Sequence, residues 1–211
     1  MTRFWAKTTS HGMPGISVYE HMVNVGCVAQ CIANMSPELL QHFNLHSSAI
    51  GALAALHDLG KISPGFQRKC EAWLIENDLV KTARNGVWDT AMEPNHAKVS
   101  HAAIQAFLKH SGVDPVTAKF VSAVLGGHHG RLTPPCDRGY LPQRMISDSA
   151  SQIDWDAERM ANARMIWDRF MTDYSFEIND LSPCLWWLAG LTSVADWIGS
   201  DERFFSPDRR E

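Results

Sequence analysis

A histidine and an aspartate, His57 and Asp58, stand side by side at the end of an apolar run. Neighbouring residues on a helix point about 100° apart, so the two side chains cannot make the same contact, but both can reach one metal cluster or two neighbouring metals. Lys61 follows one turn after His57, within reach of an anion that such metals would hold. These three residues predict metal-dependent chemistry at the end of a helix.

Five further side chains have the types that a transition-metal site needs. A lone histidine is more often a core residue bonded to a backbone carbonyl than a ligand, and an aspartate in an apolar helix can instead form an ion pair. A histidine pair between glycines, however, offers two imidazoles from one tight turn. The candidates are His21, His96, His128, His129 and Asp196.

Together, five histidines and two aspartates suit two borderline metals that share a carboxylate. Such a pair of metals can activate water and hold a phosphoryl group, so the set predicts phosphoester hydrolysis. Ligand softness favours Mn²⁺, Fe²⁺, Co²⁺, Ni²⁺ or Zn²⁺ as the two divalent cofactors. Mg²⁺, which prefers an oxygen-rich shell, is the remaining alternative.

The segments that must position these side chains have helical patterns. Gly60 is predicted to end the helix of His57 and Asp58 in the left-handed conformation, and the last helix is predicted to be buried. Polar N-caps are predicted at Ser17, Ser36, Ser47, Asn95 and Asp114. The predicted helices cover about residues 17–34, 47–60, 66–79, 95–111, 114–126, 154–171 and 183–199, with a short one from residue 36.

No alternating strand pattern appears, so the predicted fold is all-α. We expect a single compact helical domain with long loops, the longest at residues 132–153. At 211 residues, one domain over 1–211 is the simplest organisation, with a core to about residue 200 and the start of a linker or tail at 201–211.

The composition narrows the partners and the location. A net charge of −4 and a pI near 6.2 lack the basic character of a free-standing nucleic-acid binder, so metals or a partner must hold any DNA phosphates. The five cysteines have no Cys-x-x-Cys spacing, which disfavours disulfides and a cysteine zinc site and makes the cytoplasm the expected location. The longest apolar run, residues 185–198, is too short for a bilayer, so no membrane partner is expected.

The order of the candidate motifs resembles a known family. The motifs are His21, His57-Asp58-Leu59-Gly60-Lys61, His96-x-x-x-Ser100, Gly127-His128-His129-Gly130 and Ala195-Asp196-Trp197-Ile198-Gly199-Ser200. This order resembles the HD superfamily of metal-dependent phosphohydrolases and, more narrowly, the HD nuclease domain of the CRISPR-associated helicase-nuclease of type I systems. Phe4-Trp5-Ala6-Lys7 and Phe66-Gln67 favour the same subfamily, and the resemblance spans nearly the whole chain.

The resemblance implies an all-helical domain that cuts single-stranded DNA as an endonuclease, with or without exonuclease activity. The implied partner is a helicase domain or subunit, which would supply the strand displaced by an RNA-guided surveillance complex. Asp58 and Lys61 would be the catalytic residues, Asp58 as a bridge between two metals and Lys61 beside the phosphate. One metal would be held by His21, His57, Asp58 and Asp196, and the other by Asp58, His96, His128 and His129.

The family pattern also selects His96 over His101 as the middle ligand. It has a small residue four positions after this histidine, and Ser100 stands in that position after His96. His101 is therefore expected to be structural. Arg131, directly after the histidine-pair motif, is expected to contact substrate phosphate.

The sequence departs from the helicase-nuclease in one respect, because it contains no Gly-x-x-x-x-Gly-Lys-Ser/Thr phosphate loop. The chain would then be a separately encoded nuclease subunit or one domain of a longer protein. Two alternatives stay open. The site could hydrolyse nucleotides or cyclic nucleotides in a closed pocket, or it could be a non-catalytic metal-binding adaptor whose metals only hold the fold together.

Overall fold

A computed structural model describes residues 3–84, 88, 92–132, 134, 141–148, 151–171 and 176–208. Over these ranges the chain forms helices without a strand, and the all-α prediction of one compact domain is confirmed. Two isolated β-bridges, Trp5 to Ser17 and Thr8 to Pro14, fold the N-terminal segment back on itself. No helix in the described ranges is both long and apolar enough to cross a bilayer.

Eleven α-helices and one 3₁₀ helix are found in the described residues. The first group is α1 (Val18–Asn34), α2 (Pro37–Phe43), α3 (Ser47–Ala55), the 3₁₀ helix (Leu56–Lys61), α4 (Pro64–Gln67), α5 (Glu71–Glu76) and α6 (Val80–Arg84). The second group is α7 (His96–His110), α8 (Pro115–Leu125), α9 (Gln143–Ile146), α10 (Trp155–Phe170) and α11 (Leu181–Gly199).

Three of the five predicted N-caps are confirmed by a side-chain hydrogen bond, and Ser36 occupies the cap position of α2 without one. The Ser17 side chain accepts from the backbone N–H of Glu20, whose carboxylate in turn accepts from the N–H of Ser17. Asn95 caps α7 and Asp114 caps α8 through their side-chain oxygens. Each cap satisfies a free N–H group of the first helical turn, so the starts of α1, α7 and α8 are set locally.

The helix of His57 and Asp58 differs from the prediction at both ends. Ser47 is its first residue, and His46 occupies the cap position without a side-chain hydrogen bond. Gly60 is not in the left-handed conformation, since α3 tightens into the 3₁₀ helix and continues through Lys61. The glycine is instead needed for space, because a Cβ at position 60 would overlap the backbone of α7 at His96 and Ser100.

Other predicted boundaries are also wrong. The predicted helix at 66–79 is broken between α4 and α5, and the predicted loop at 132–153 contains α9, although its residues 133, 135–140 and 149–150 lie outside the described ranges. The predicted stop after α8 is confirmed, since α8 ends at Leu125 with Gly126 as its C-cap; Gly126 is right-handed there, and the left-handed glycine is Gly130. The last helix begins at Leu181 and is not fully buried, because Trp186 and Trp197 are exposed.

Close helix contacts at glycines bring α1, α3 and α11 together. A Cβ on Gly26 in α1 would lie 2.9 Å from the carbonyl oxygen of Gly51 in α3. α3 is buried throughout Ala49–Ala55, so it forms the centre of the domain. α11 approaches α1 at Gly199, where a Cβ would lie 3.1 Å from the Cα of Val25. Small residues at these crossings let the helices that carry the candidate ligands approach one another.

A buried arginine fixes the end of the 3₁₀ helix. Arg159 of α10 donates to the carbonyl oxygens of Ile62 at 2.7 Å and Ile146 at 2.9 Å, and it pairs with Asp156. Ile62 directly follows Lys61, so α9 and α10 hold the chain in place immediately after the catalytic candidates. Buried guanidinium groups need such saturation of their donors, because an unpaired buried charge is costly.

We expect Gly60→Ala to lower the free energy of unfolding by about 1–3 kcal/mol, the usual cost of forcing an extra carbon into a packed interior. The reason is that the backbone of α7 cannot yield to the new Cβ without moving His96. Urea unfolding of the metal-free chain measures the change.

The matched control is Gly190→Ala in α11, because nothing lies within 4 Å of a Cβ at that position. This exposed helical glycine should gain about 0.5–1 kcal/mol from the substitution, as glycine does inside a helix. Equal effects of the two substitutions would contradict the close approach of the 3₁₀ helix and α7.

Candidate metal centre

The structure brings all seven predicted ligands together. They come from α1, the 3₁₀ helix, the first residue of α7, the turn after α8, and α11. Within each of two groups, one nitrogen or oxygen atom of every residue lies within 4.8 Å of the others. The first group is His21, His57, Asp58 and Asp196, and the second is His96, His128 and His129.

Asp58 lies between the two groups and turns one oxygen toward each. Its Oδ2 lies 2.9 Å from Nε2 of His21 and 3.3 Å from Nε2 of His57. Its Oδ1 lies 3.2 Å from Nε2 of His96 and 3.6 Å from Nε2 of His128. A carboxylate in this position can bridge two metals, one on each oxygen.

Asp196 completes the first group from the opposite helix. Its Oδ1 lies 3.6 Å from Nε2 of His21 and 3.4 Å from Nε2 of His57. The Ser200 hydroxyl donates to the same oxygen at 3.0 Å, and Lys7 Nζ donates to the Ser200 carbonyl at 2.5 Å. Lys7 and Ser200 thus support the α11 terminus that carries Asp196. Both residues belong to the family motifs of the sequence, but this supporting role was not predicted from it.

Backbone hydrogen bonds orient two of the imidazole rings. Nδ1 of His57 lies 2.9 Å from the carbonyl oxygen of Ala54, and Nδ1 of His128 lies 2.8 Å from that of Leu125. A carbonyl oxygen can only accept, so each Nδ1 carries the proton and Nε2 is directed into the site. Metal-binding histidines are oriented by such bonds on the second ring nitrogen.

Several buried polar atoms in the site are close together without the alignment of a hydrogen bond. Among the described residues, these include Nε2 of His21, Nε2 of His57, Nε2 of His128 and Oδ1 of Asp58. Each such atom, if left unpaired away from water, costs about 1–3 kcal/mol. Nitrogen lone pairs and carboxylate oxygens that converge on a shared space are the donor set of borderline divalent metals. The residues therefore fit the two metals predicted from the sequence.

The charges in the site keep both carboxylates ionised. Burial alone would raise the pKa of Asp58, but the charges of Lys61, His57 and His96 hold it well below its usual value. Burial likewise opposes ionisation of Asp196, whereas the nearby imidazoles of His21 and His57 lower its pKa. Two ionised carboxylates in one buried centre supply the negative charge that a pair of divalent cations needs.

The same surroundings shift the pKa values of two histidines in opposite directions. Burial would lower the pKa of His57, but the Asp58 charge and the nearby Asp196 carboxylate raise it to about 10. Burial and the His57 charge lower the pKa of His128 to about 3. His128 is thus a neutral ligand at neutral pH, whereas a metal must replace a proton on His57.

Lys61 lies where the sequence predicts a cation. Its Nζ is 2.7 Å from Oδ2 of Asp58. The buried Gln67 side chain donates to the Lys61 carbonyl at 2.9 Å and to the Trp5 carbonyl at 3.0 Å, which ties the 3₁₀ helix to the N-terminal segment. Sequence reasoning missed this role of Gln67, although the Phe66-Gln67 motif contained its signal.

The choice between the two histidines of α7 agrees with the geometry. Nε2 of His96 lies 2.9 Å from Nε2 of His129, whereas His101 is in neither ligand group of the described residues. His101 is buried against Gly126, and burial lowers its pKa to about 4. Arg131 is exposed just beyond the left-handed Gly130, and its contact with substrate phosphate stays a prediction.

Burial falls from one side of the centre to the other. His21, His57 and His128 are buried, His96 and Asp196 are partly buried, and His129 is exposed. The centre therefore opens to solvent at the second group. An apolar groove of about 470 Å³, between α8 and α11, is lined by other residues, among them Phe120, Leu185 and Trp186.

Known proteins share both the sequence pattern and this fold. Residues 5–205 match the family described as Cas3, HD domain. The chain is 30% identical over 169 residues to a CRISPR-associated nuclease/helicase Cas3 of Streptococcus thermophilus, covering 72% of this chain and 18% of the relative. It is 26% identical over 225 residues to a CRISPR-associated endonuclease/helicase Cas3 of Escherichia coli K12, covering 93% of this chain and 25% of the relative.

The fold is also similar to a solved domain. The crystal structure of the Thermus thermophilus Cas3 HD domain in the presence of Ni²⁺ matches with a TM-score of 0.66 at 21% identity. The match covers 98% of this chain and 79% of that chain. Both curated relatives are much longer proteins, since the chain spans only a quarter or less of their length.

We expect substitutions in the two ligand groups to remove one bound metal or the other, according to the group that is changed. Asp196→Asn and His129→Gln should each leave roughly one tightly bound metal per chain, whereas Asp58→Asn should weaken both sites, because its oxygens face both groups. Elemental analysis after equilibrium dialysis against Mn²⁺ or Ni²⁺ measures the ratio. Full loading of either site in Asp58→Asn would contradict the bridging role.

The pH dependence of stability tests the structural role assigned to His101. Its folded pKa of about 4 lies below the reference value of 6.5, so the unfolded chain binds this proton more readily. His101 therefore lowers stability as pH falls from 6.5 toward 4 and has no such effect above 6.5. We expect metal-free His101→Gln to lose less stability over this interval in urea titrations, and parallel profiles would contradict the buried neutral state.

Proposed function

The chain belongs to the Cas3 HD-domain family, and from this membership we propose that it is a metal-dependent endonuclease that cuts single-stranded DNA in CRISPR interference. The observation that carries the proposal is the placement of Asp58, with one carboxylate oxygen toward each ligand group. This arrangement suits hydrolysis of a phosphodiester between two metals.

The residues of the centre have separate tasks in this proposal. When bound, the two metals supply Lewis acidity and lower the pKa of water. Asp58 and Asp196 balance the positive charge, and His57 and His128 hold fixed ring orientations through their backbone bonds. Lys61, beside Asp58, stabilises the negative charge that develops on the reacting phosphate.

The metals are proposed to be two of the borderline divalent ions, Mn²⁺, Fe²⁺, Co²⁺, Ni²⁺ or Zn²⁺. Imidazole nitrogens outnumber carboxylates in the combined ligand set, which favours these ions over Mg²⁺. The Thermus thermophilus domain of the same fold was crystallised in the presence of Ni²⁺, which agrees with this preference.

The open side of the metal centre favours a DNA strand over a free nucleotide as the substrate. His129 is exposed, and the exposed Arg131 follows two residues later at the same edge of α8. A polymer can approach such an edge from outside, whereas a nucleotide hydrolase needs a closed pocket that surrounds the base. Exonuclease activity on the ends of the cut strand is part of the same proposal.

A helicase is the proposed partner. Both curated relatives are named as a nuclease or endonuclease joined with a helicase, and this chain spans a quarter or less of their length. The net charge of −4 gives the chain little general attraction for DNA, so a motor that delivers the strand would favour its capture at the metal centre. We propose that the strand comes indirectly from an RNA-guided surveillance complex and that the activity is cytoplasmic.

The test is cleavage of circular single-stranded DNA by the purified chain with each metal in turn. We expect cutting with Mn²⁺, Co²⁺ or Ni²⁺, no cutting by Asp58→Asn, and a kcat lower by about 10²- to 10³-fold in Lys61→Met, the usual loss of one preorganised charge-stabilising group. His110→Gln, at the far end of α7, is the control and should cut like the wild type.

Other outcomes would point to the two alternatives. Hydrolysis of nucleotides or cyclic nucleotides by a metal-loaded chain that leaves DNA intact would contradict the nuclease proposal. A chain that binds metals, hydrolyses neither substrate class and unfolds when the metals are chelated would instead be an adaptor. The melting temperature with and without chelator distinguishes these two cases.

A further inference from the structure

Two lysines lie near the ring of a buried phenylalanine beside the metal centre. The Phe66 ring stacks on Trp5 at 4.7 Å between centroids and meets the edge of the His96 ring at 5.3 Å. Lys61 Nζ lies 5.4 Å from the Phe66 centroid and Lys69 Nζ lies 4.9 Å from it. The two ammonium groups are therefore no more than about 10 Å apart, on a ring that contacts a candidate metal ligand.

The two lysines differ in what balances their charge. Lys61 pairs with Asp58, whereas Lys69 Nζ donates to the carbonyl oxygen of Pro94 at 2.8 Å. Of the carboxylates in the described ranges, none forms an ion pair within 4.0 Å of Lys69. Burial and then the charges of Lys61 and Arg68 lower the pKa of Lys69. Lys69 is thus an exposed cation with cationic neighbours, a setting that attracts an anion.

A third lysine nearby shows the contrast. Lys98 stands two residues after His96, and its Nζ lies 3.6 Å from the carboxylate of the buried Glu93. Its charge is therefore balanced within the protein. Lys98 is a control for Lys69, because both lysines lie close to the start of α7 and they differ in the presence of a carboxylate partner, although Lys98 is partly buried where Lys69 is exposed.

We propose that Lys69 binds a backbone phosphate of the single strand next to the phosphate held at the metal centre. This inference rests on the proposed nuclease function. Lys61 faces the reacting phosphate, and Lys69, near the same phenylalanine ring, holds the neighbouring phosphate. A lysine binds phosphate as a compact point charge without reading the base, so this contact positions the strand without sequence preference.

Salt dependence of binding tests the contact. Anisotropy of fluorescein-labelled oligothymidylate, titrated with the whole metal-free chain so that the strand is not cut, gives the slope of log K against log salt when it is repeated at several KCl concentrations. We expect Lys69→Met to weaken binding severalfold and to reduce the slope by about 0.7, the value for one phosphate contact on a single strand. Lys69→Arg should retain the wild-type slope, and Lys98→Met should leave slope and affinity unchanged.

A second readout compares substrates with different numbers of phosphates. For Lys69→Met, the rise in KM on oligothymidylate should exceed any change on bis(p-nitrophenyl) phosphate, which has a single phosphate. A wild-type slope in Lys69→Met, or an equal loss in Lys98→Met, would overturn the inference. The same is true of equal losses on the two substrates.

The two proposals fail in different ways. If the wild type binds oligothymidylate with the Lys69-dependent slope but cuts no DNA with any metal, the nuclease proposal fails and the phosphate contact stands. If the wild type cuts DNA and the slope is independent of Lys69, the contact is wrong and the nuclease proposal stands.

Discussion

The buried charge of Asp58 is the constraint on which the rest of the structure depends. Its side chain is 3% exposed, and an ionised carboxylate so far from water is tolerated only with strong compensation. Lys61 supplies one positive charge at 2.7 Å, and imidazoles from three other segments surround the two oxygens. Every helix that contributes to the centre must approach this carboxylate, and the glycine contacts between helices permit that approach.

The local signals of the sequence predicted helix starts better than helix ends. The caps at Ser17, Asn95 and Asp114 depend on bonds within three residues, so they could be predicted from the sequence. Gly60 could not be assigned in the same way, because its role depends on α7, which follows 36 residues later in the chain. The residue type alone does not distinguish a glycine needed for space from a glycine needed for a left-handed turn.

In the candidate site too, residues with a local sequence signal were predicted and residues that depend on distant partners were not. Residue types and motif order predicted all seven candidate ligands, and the structure brings them together. The residues that support them were missed, because the bonds of Gln67 to Trp5 and of Lys7 to Ser200 join positions 62 and 193 residues apart. Such partners have no local pattern. The exposed faces of Trp186 and Trp197 were missed for a related reason, since apolar composition alone does not say which side of a helix has a neighbour.

Anomalous diffraction from crystals of the Mn²⁺-loaded chain tests the central claim most directly, because it locates each metal without reference to activity. The account predicts two anomalous peaks, one against each oxygen of Asp58, with Asp196 at the first and His129 at the second. A single peak, or two peaks of which only one contacts Asp58, would contradict a centre built around a bridging carboxylate.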